Sequence, residues 1–180
     1  VKKSTLAGKR NAYEDELLEH LSESMPDGVR TTILADRGFG DQERYRKITD
    51  LGMDYIIRFR EGILVADQWG NQKPASEWVA KSGRATLHKD LAVTADCYPV
   101  PAVVFAHDKR MKDSWCLATS RTDKTAAEIV KWYGKRFTIE ETFRDTKNGH
   151  LGMGLSATHI RNEARRDRLI FIAAIAHMLV

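Results

Sequence analysis

A phenol, a guanidinium, a carboxylate and an ammonium recur at fixed intervals near the end of the chain, where residues 133–147 read Tyr-x2-Arg-x3-Glu-x6-Lys. At about 100° per residue, an α-helix carries Tyr133, Arg136, Glu140 and Lys147 within an arc of about 60°, so one stripe of one helix would hold all four. A carboxylate among three hydrogen-bond donors, two of them cationic, suits a divalent metal ion with a phosphodiester lying across it. The carboxylate binds the ion and the cations bind phosphate oxygens. The plain alternative is a solvated helix face in which Arg136 and Glu140 form an ordinary i,i+4 ion pair. On these four residues alone both readings stay open.

Asp36 is a second carboxylate in an informative place. Residues 29–35 read as a buried strand, and Asp36 follows at its carboxyl end, where ligands bind in open α/β sheets. A lone Asp at a strand end is more often a cap or turn former. Here the stretch before it is wholly apolar from Ile33 to Ala35, and Arg37-Gly38-Phe39-Gly40 follows as a glycine-rich turn.

The elements that must position these groups read as an α/β fold. Residues 12–24 place Leu17, Leu18 and Leu21 on one face among acidic residues, which predicts an amphipathic helix. Met25-Pro26-Asp27-Gly28 is a turn, the strand ending at Ala35 follows, and a helix runs from about residue 41 to 51, stopped by Gly52. Residues 54–60 are a second strand. Across residues 61–113, short β-branched or aromatic runs (63–66, 85–94, 100–106) alternate with turns, with one helical turn near 77–81, and this stretch reads as a β-rich insertion. Residues 114–119 are a further strand. Thr122 or Asp123 then caps a long helix over about 124–146, ended by Asn148-Gly149, and the last helix starts near Arg161.

Leu34-Ala35-Asp36-Arg37-Gly38-Phe39-Gly40, followed by the Tyr133, Arg136, Glu140 and Lys147 set, resembles bacterial transposases of the insertion-sequence-4 family, named for a Tyr-Arg-Glu-Lys signature. Ser114-Trp115-Cys116-Leu117-Ala118-Thr119-Ser120 is similar to the strand before the family's signature helix. Gly152-Met153-Gly154-Leu155-Ser156 and the Arg-rich helix after it are similar to the family's tail, so the resemblance runs over essentially the whole chain. It implies a ribonuclease-H-like core of the DDE transposase/integrase type, with a β-rich insertion between the second Asp and the Glu. Residues 1–60 would then be the first part of the core, 61–113 the insertion and 114–180 the second part with the signature helix.

By the family's pattern Asp36 is the second Asp and Glu140 the Glu, both catalytic and both metal ligands, with Mg²⁺ as the ion and Mn²⁺ as its substitute. Two such ions would support hydrolysis of a transposon-end phosphodiester and attack of the freed 3′-hydroxyl on another strand. Tyr133, Arg136 and Lys147 are implied to contact DNA phosphate. Trp115, 18 residues before Tyr133, is implied to stack on a base flipped from the transposon end; its plain alternative is a core tryptophan. The implied partners are double-stranded DNA, both transposon ends and target, and a second copy of the protein in a synaptic complex.

The family's first Asp lies on an earlier strand that has no counterpart here. Glu14, Asp15, Glu16, Glu19 and Glu23 fall on the first helix and Asp27 in a turn, so none replaces it. With a charged opening at Val1-Lys2-Lys3 and an end at Val180 inside an apolar run, the expectation is a fragment that holds two of three metal ligands and is inactive alone. A nuclease on the same fold, or a remnant that only binds DNA, are the competing readings.

Charge and composition agree with a polyanion partner. The net charge is +4; residues 1–120 hold 18 Lys+Arg against 18 Asp+Glu, whereas residues 121–180 hold 11 against 7, so the whole excess surrounds the spaced set. Cys97 and Cys116 form no Cys-x2-Cys pair and the 6 histidines lack ligand spacing, which argues against a disulfide framework or a zinc site. No signal peptide is present, and the longest apolar run, 169–180, is broken by His177 and too short to span a bilayer. The expected setting is the bacterial cytoplasm, at the nucleoid, with no membrane partner.

Overall fold

Apolar and β-branched runs build one seven-stranded sheet in the computed structural model of the chain, which describes residues 9–109, 111–149 and 154–178. The strands are β1 (Thr32–Ala35), β2 (Asp54–Phe59), β3 (Leu64–Ala66), β4 (Gln72–Pro74), β5 (Thr86–Val93), β6 (Tyr98–Ala106) and β7 (Trp115–Thr119), in the spatial order β1-β2-β7-β6-β5-β3-β4. β1 and β2 are parallel, with Ala35 opposite Ile57, and every other pairing is antiparallel. This topology sorts chemistry between the two ends of the sheet. Asp36, Arg60 and Ser114 follow or precede strands at one end, whereas Asp54, Ser120 and Arg121 lie at the other. Residues 61–113 supply β3 to β6, which pair edge to edge onto β7 and so continue the sheet that begins with β1 and β2. The short β4 escapes a sequence reading because it is polar and ends in Pro74; it is tolerated as an edge strand that pairs only with β3.

The chain divides into two compact units, Val1–Tyr133 and Gly134–Val180. In the first, the period-2 alternation of the strands feeds two cores. Tyr55, Ile57, Phe59, Val103 and Phe105 pack with Leu18 of α1 (Arg10–Ser24) and with Tyr45 and Ile48 of α2 (Gln42–Asp50). The intervening Ile56, Val104 and Leu117 point the other way, onto Ile129 and Tyr133 of α3 (Ala126–Gly134). Burial on both faces explains why these strands read as continuous apolar runs. Each fully buried aliphatic contributes about 1.5–3 kcal/mol.

Local signals set the helix ends, with differences from the sequence reading. In α1 only Leu18 is buried, while Leu17 next to it is 68% exposed; the two are a helical step of about 100° apart and cannot share a buried stripe. Ion pairs of Arg44 with Glu14 and Asp15, and of Lys47 with Glu19, hold α1 to α2. α3 is capped by a reciprocal box one turn later than expected: the Thr125 amide donates to Glu128 Oε2 (2.9 Å) and the Glu128 amide donates to Thr125 Oγ1 (3.3 Å). The single long helix expected over 124–146 is interrupted at Lys135, giving α3 and then α4 (Arg136–Lys147). Gly134 weakens a helix interior by roughly 1 kcal/mol relative to Ala, and the Lys135 carbonyl takes an i+3 hydrogen bond from Thr138 (3.1 Å). In the second unit α5 (Glu163–Met178) follows an Asn162 cap, whose Oδ1 accepts from the Arg165 amide at 3.0 Å. Among the described residues no helix is long and apolar enough to cross a membrane.

Candidate active site

The parallel pair delivers Asp36 to the rim of the sheet. Ala35, the last residue of β1, is buried, and Asp36 leaves the strand with φ −80° and ψ 170°. Its Oδ1 accepts the Arg37 amide at 2.6 Å, and its carbonyl accepts the Phe39 amide at 2.8 Å, closing the 3₁₀ turn Arg37–Phe39. The capping role usual for a lone Asp is therefore present. It does not exhaust the carboxylate, because among the described residues Oδ2 accepts no hydrogen bond. Gly40 then passes against β2 so closely that a Cβ there would lie 3.0 Å from the Arg58 carbonyl oxygen and 3.2 Å from Phe59 Cβ. This contact seats the turn on β2 and fixes the direction in which Asp36 faces.

The signature positions fall in two places. Arg136, Glu140 and Lys147 all lie on α4, in the second unit. Arg136 Nη1 donates to Glu140 Oε1 at 2.9 Å, and its guanidinium lies 4.5 Å from the centroid of the Phe137 ring. The i,i+4 ion pair of the plain alternative is formed, with the Glu140 side chain 62% exposed. The Lys147 side chain lies outside the described residues. Tyr133 belongs to the first unit, on the far side of the helix interruption, and is fully buried with Ile56, Val104, Leu117 and Ile129. Its core position was available in the sequence. Ile129 stands four residues before it and Val130 three, so Tyr133 continues an apolar helical stripe as naturally as it begins a charged one.

Trp115 opens β7 half-buried, with its ring edge-on to Tyr133 at a centroid distance of 4.9 Å. It also lines an apolar crevice of about 420 Å³ with Ala85, Ala106 and Val130, rimmed by Arg84 and Lys131. Loss of the ring pair and of the area it buries amounts to about 2 kcal/mol. Trp115→Ala is accordingly expected to melt about 4–8 °C lower, and Trp115→Phe, which keeps an aromatic ring, to lose less than half of that. Thermal melts of the two variants check this; an unchanged midpoint for the alanine variant would put the indole outside the core.

Asp36 and Glu140 offer the hard carboxylate oxygens that divalent cations prefer. They lie in different units, and among the described residues no three His, Cys, Asp or Glu side chains gather into a metal-binding group. Asp54 cannot join Asp36, since it begins β2 at the opposite end of the sheet and takes hydrogen bonds from Arg30 (2.6 Å) and Ser120 (2.7 Å). Residues 5–179 match the protein family described as the transposase DDE domain. A comparison with curated proteins gives no match.

Proposed function

The chain belongs to the transposase DDE-domain family, whose members act on DNA with divalent metal ions, and we propose that it performs metal-dependent hydrolysis and strand transfer at transposon ends in the manner of insertion-sequence-4 transposases. The main support is Asp36, a carboxylate at the carboxyl end of a parallel strand, oriented by one oxygen and open at the other. On this reading residues 61–113 are the family's inserted β segment, and the working form is a homodimer that holds two DNA ends.

Asp36 and Glu140 would hold the cation, Mg²⁺ or Mn²⁺ in its place; when bound, it supplies charge stabilisation to the phosphorane-like transition state and acidifies the attacking oxygen. The remaining work falls to the protein. The Arg37 amide keeps the Asp36 carboxylate in one rotamer. Arg136, satisfied by Glu140 in the free protein, turns its planar fork to a DNA phosphate, and Lys147 adds a point charge along the same helix. Trp115 presents an indole face toward a crevice of a size for a nucleobase, with Arg84 and Lys131 at the rim. Tyr133 acts here through packing, by bracing Trp115, ahead of the phosphate contact that its signature position implies.

Two carboxylates do not secure two divalent ions in cleavage geometry. Residues 1–180 alone are therefore expected to bind duplex DNA with a steep salt dependence and to leave transposon-end DNA uncut in Mg²⁺. Arg136→Ala and Lys147→Ala should each flatten the log–log salt slope by roughly 0.9. Nicking assays and anisotropy titrations over a range of NaCl concentrations test both points. Robust nicking by this chain that is lost in Glu140→Gln would overturn the two-ligand account, and absence of DNA binding would overturn the transposase reading.

A further inference from the structure

We propose that the crevice at the carboxyl ends of β1 and β2 is a seat for a single DNA phosphate, held by Arg37, Arg58 and Arg60. The inference rests on DNA being the substrate and assigns three residues outside the Tyr-Arg-Glu-Lys positions. The crevice encloses about 230 Å³ and is lined by these three arginines together with Glu61, Asp113 and Ser114. It lies next to Asp36, since Arg37 is the following residue and donates its amide to the Asp36 carboxylate.

The strand pattern puts the guanidinium groups there. Ile57 and Phe59 face one core of the first unit, so Arg58 takes the opposite face, and Arg60 continues the same two-residue phase as the strand ends. Arg37 is brought to them by the close passage of Gly40 over Arg58 and Phe59. Arg58 is held in place: its side chain is only 16% exposed, Nη2 donates to the Ser114 carbonyl at 3.1 Å, and Asp113 Oδ2 stands 3.7 Å away. Among the described residues its Nε and Nη1 find no protein acceptor. One arm of the fork is anchored and the rest is presented to the crevice. This pre-organisation reduces the entropy lost when an anion binds.

Charge and size select the ligand. Three guanidinium groups face two carboxylates, Glu61 and Asp113, so the crevice keeps a positive excess and mutual repulsion that an anion relieves. Guanidinium forks match phosphate oxygens in geometry. The volume admits a phosphate group and is too small for a base pair. Phe59 is the sole aromatic in the lining and is buried in the sheet, so no surface is left on which a base could stack. Contacts of this kind position the duplex without reading its sequence.

The test is anisotropy of residues 1–180 with a labelled duplex of arbitrary sequence, titrated at several salt concentrations. Arg37 and Arg60 are exposed, so their alanine variants should melt as the wild type does. Each is expected to weaken binding several-fold, and the Arg37→Ala/Arg60→Ala double variant to lose about 0.9 of the log–log slope, the share of one phosphate. Arg58→Lys, which keeps the charge and gives up the fork, should weaken binding with the slope unchanged. A double variant that loses about 1.8 would indicate two separate contacts and overturn the single seat, as would unchanged affinity in all the variants while the wild type binds DNA. Failure of the wild type to bind DNA would overturn the transposase reading together with this one.

Discussion

Asp36→Asn in an active transposase that contains this domain is expected to cut DNA at least 10²–10³-fold more slowly, the usual loss when one electrostatic group leaves a transition state, with DNA affinity and melting temperature close to the parent. The asparagine is chosen because of the turn. The Asn amide oxygen can still accept the Arg37 N–H that Asp36 Oδ1 accepts at 2.6 Å, so the cap survives and only the charge is removed. Glu140→Gln should give the same phenotype. Its present partner is Arg136, one helical turn away on an exposed face, and such pairs contribute about 0.3–0.5 kcal/mol, too little to confuse lost chemistry with lost folding. Single-turnover cleavage in Mg²⁺ reads the rate, and calorimetric titration with Mn²⁺ reads the ligand role independently of turnover. Near-normal cleavage by either variant would remove that residue from the site.

The strands that bear Asp36 and Trp115 were legible in the sequence because their side chains are buried on both faces, so whole runs such as 54–59 are apolar or aromatic with few interruptions. β4 was not legible, since its three residues owe their strand form to one neighbour and not to their own propensity. Asp36 illustrates a subtler limit. Cap and ligand were weighed as rivals, yet a carboxylate has two oxygens, and the turn uses one. The helix break shows the opposite failure. Angular spacing places Tyr133 and Arg136 on one stripe only if the helix is continuous, and Gly134-Lys135 interrupts it. Arg58 and Arg60 went unremarked for a related reason: each is an ordinary strand or loop cation until the sheet order brings Ser114 and the turn at Arg37 beside it.

Arg121→Met is expected to cost on the order of 3 kcal/mol, which lowers the melting temperature by about 6–12 °C for a chain of this length. Arg121 follows β7 at the end of the sheet away from Asp36 and is 6% exposed. Its Nη1 donates to Thr32 Oγ1 on β1 at 3.0 Å, its Nε lies 3.9 Å from Asp54 Oδ2 on β2, and its guanidinium lies 4.8 Å from the centroid of the Trp132 ring on α3. Nε and Nη2 also grip Asp123 at 2.8 and 2.9 Å. One side chain thus joins three strands and a helix, and methionine would fill the volume while leaving Thr32 and Asp54 without a buried donor. The same groups make a pH prediction. Hydrogen bonds from Arg121 hold the Asp123 carboxyl well below the usual range. Burial pushes Asp54 up, but hydrogen bonds from Arg30 and Ser120 outweigh it and leave that carboxyl lowered as well. A carboxylate depressed on folding contributes stability above its unfolded pKa, and that contribution fades as pH falls through its folded value. The wild type should therefore lose stability steeply from about pH 4 downward. Arg121→Met, with Asp123 returned toward its ordinary range, should show a smaller drop in melting temperature between pH 7 and pH 3 from an already lower starting point. Parallel acid profiles for the two proteins would mean that the Arg121–Asp123 pair is not coupled to folding.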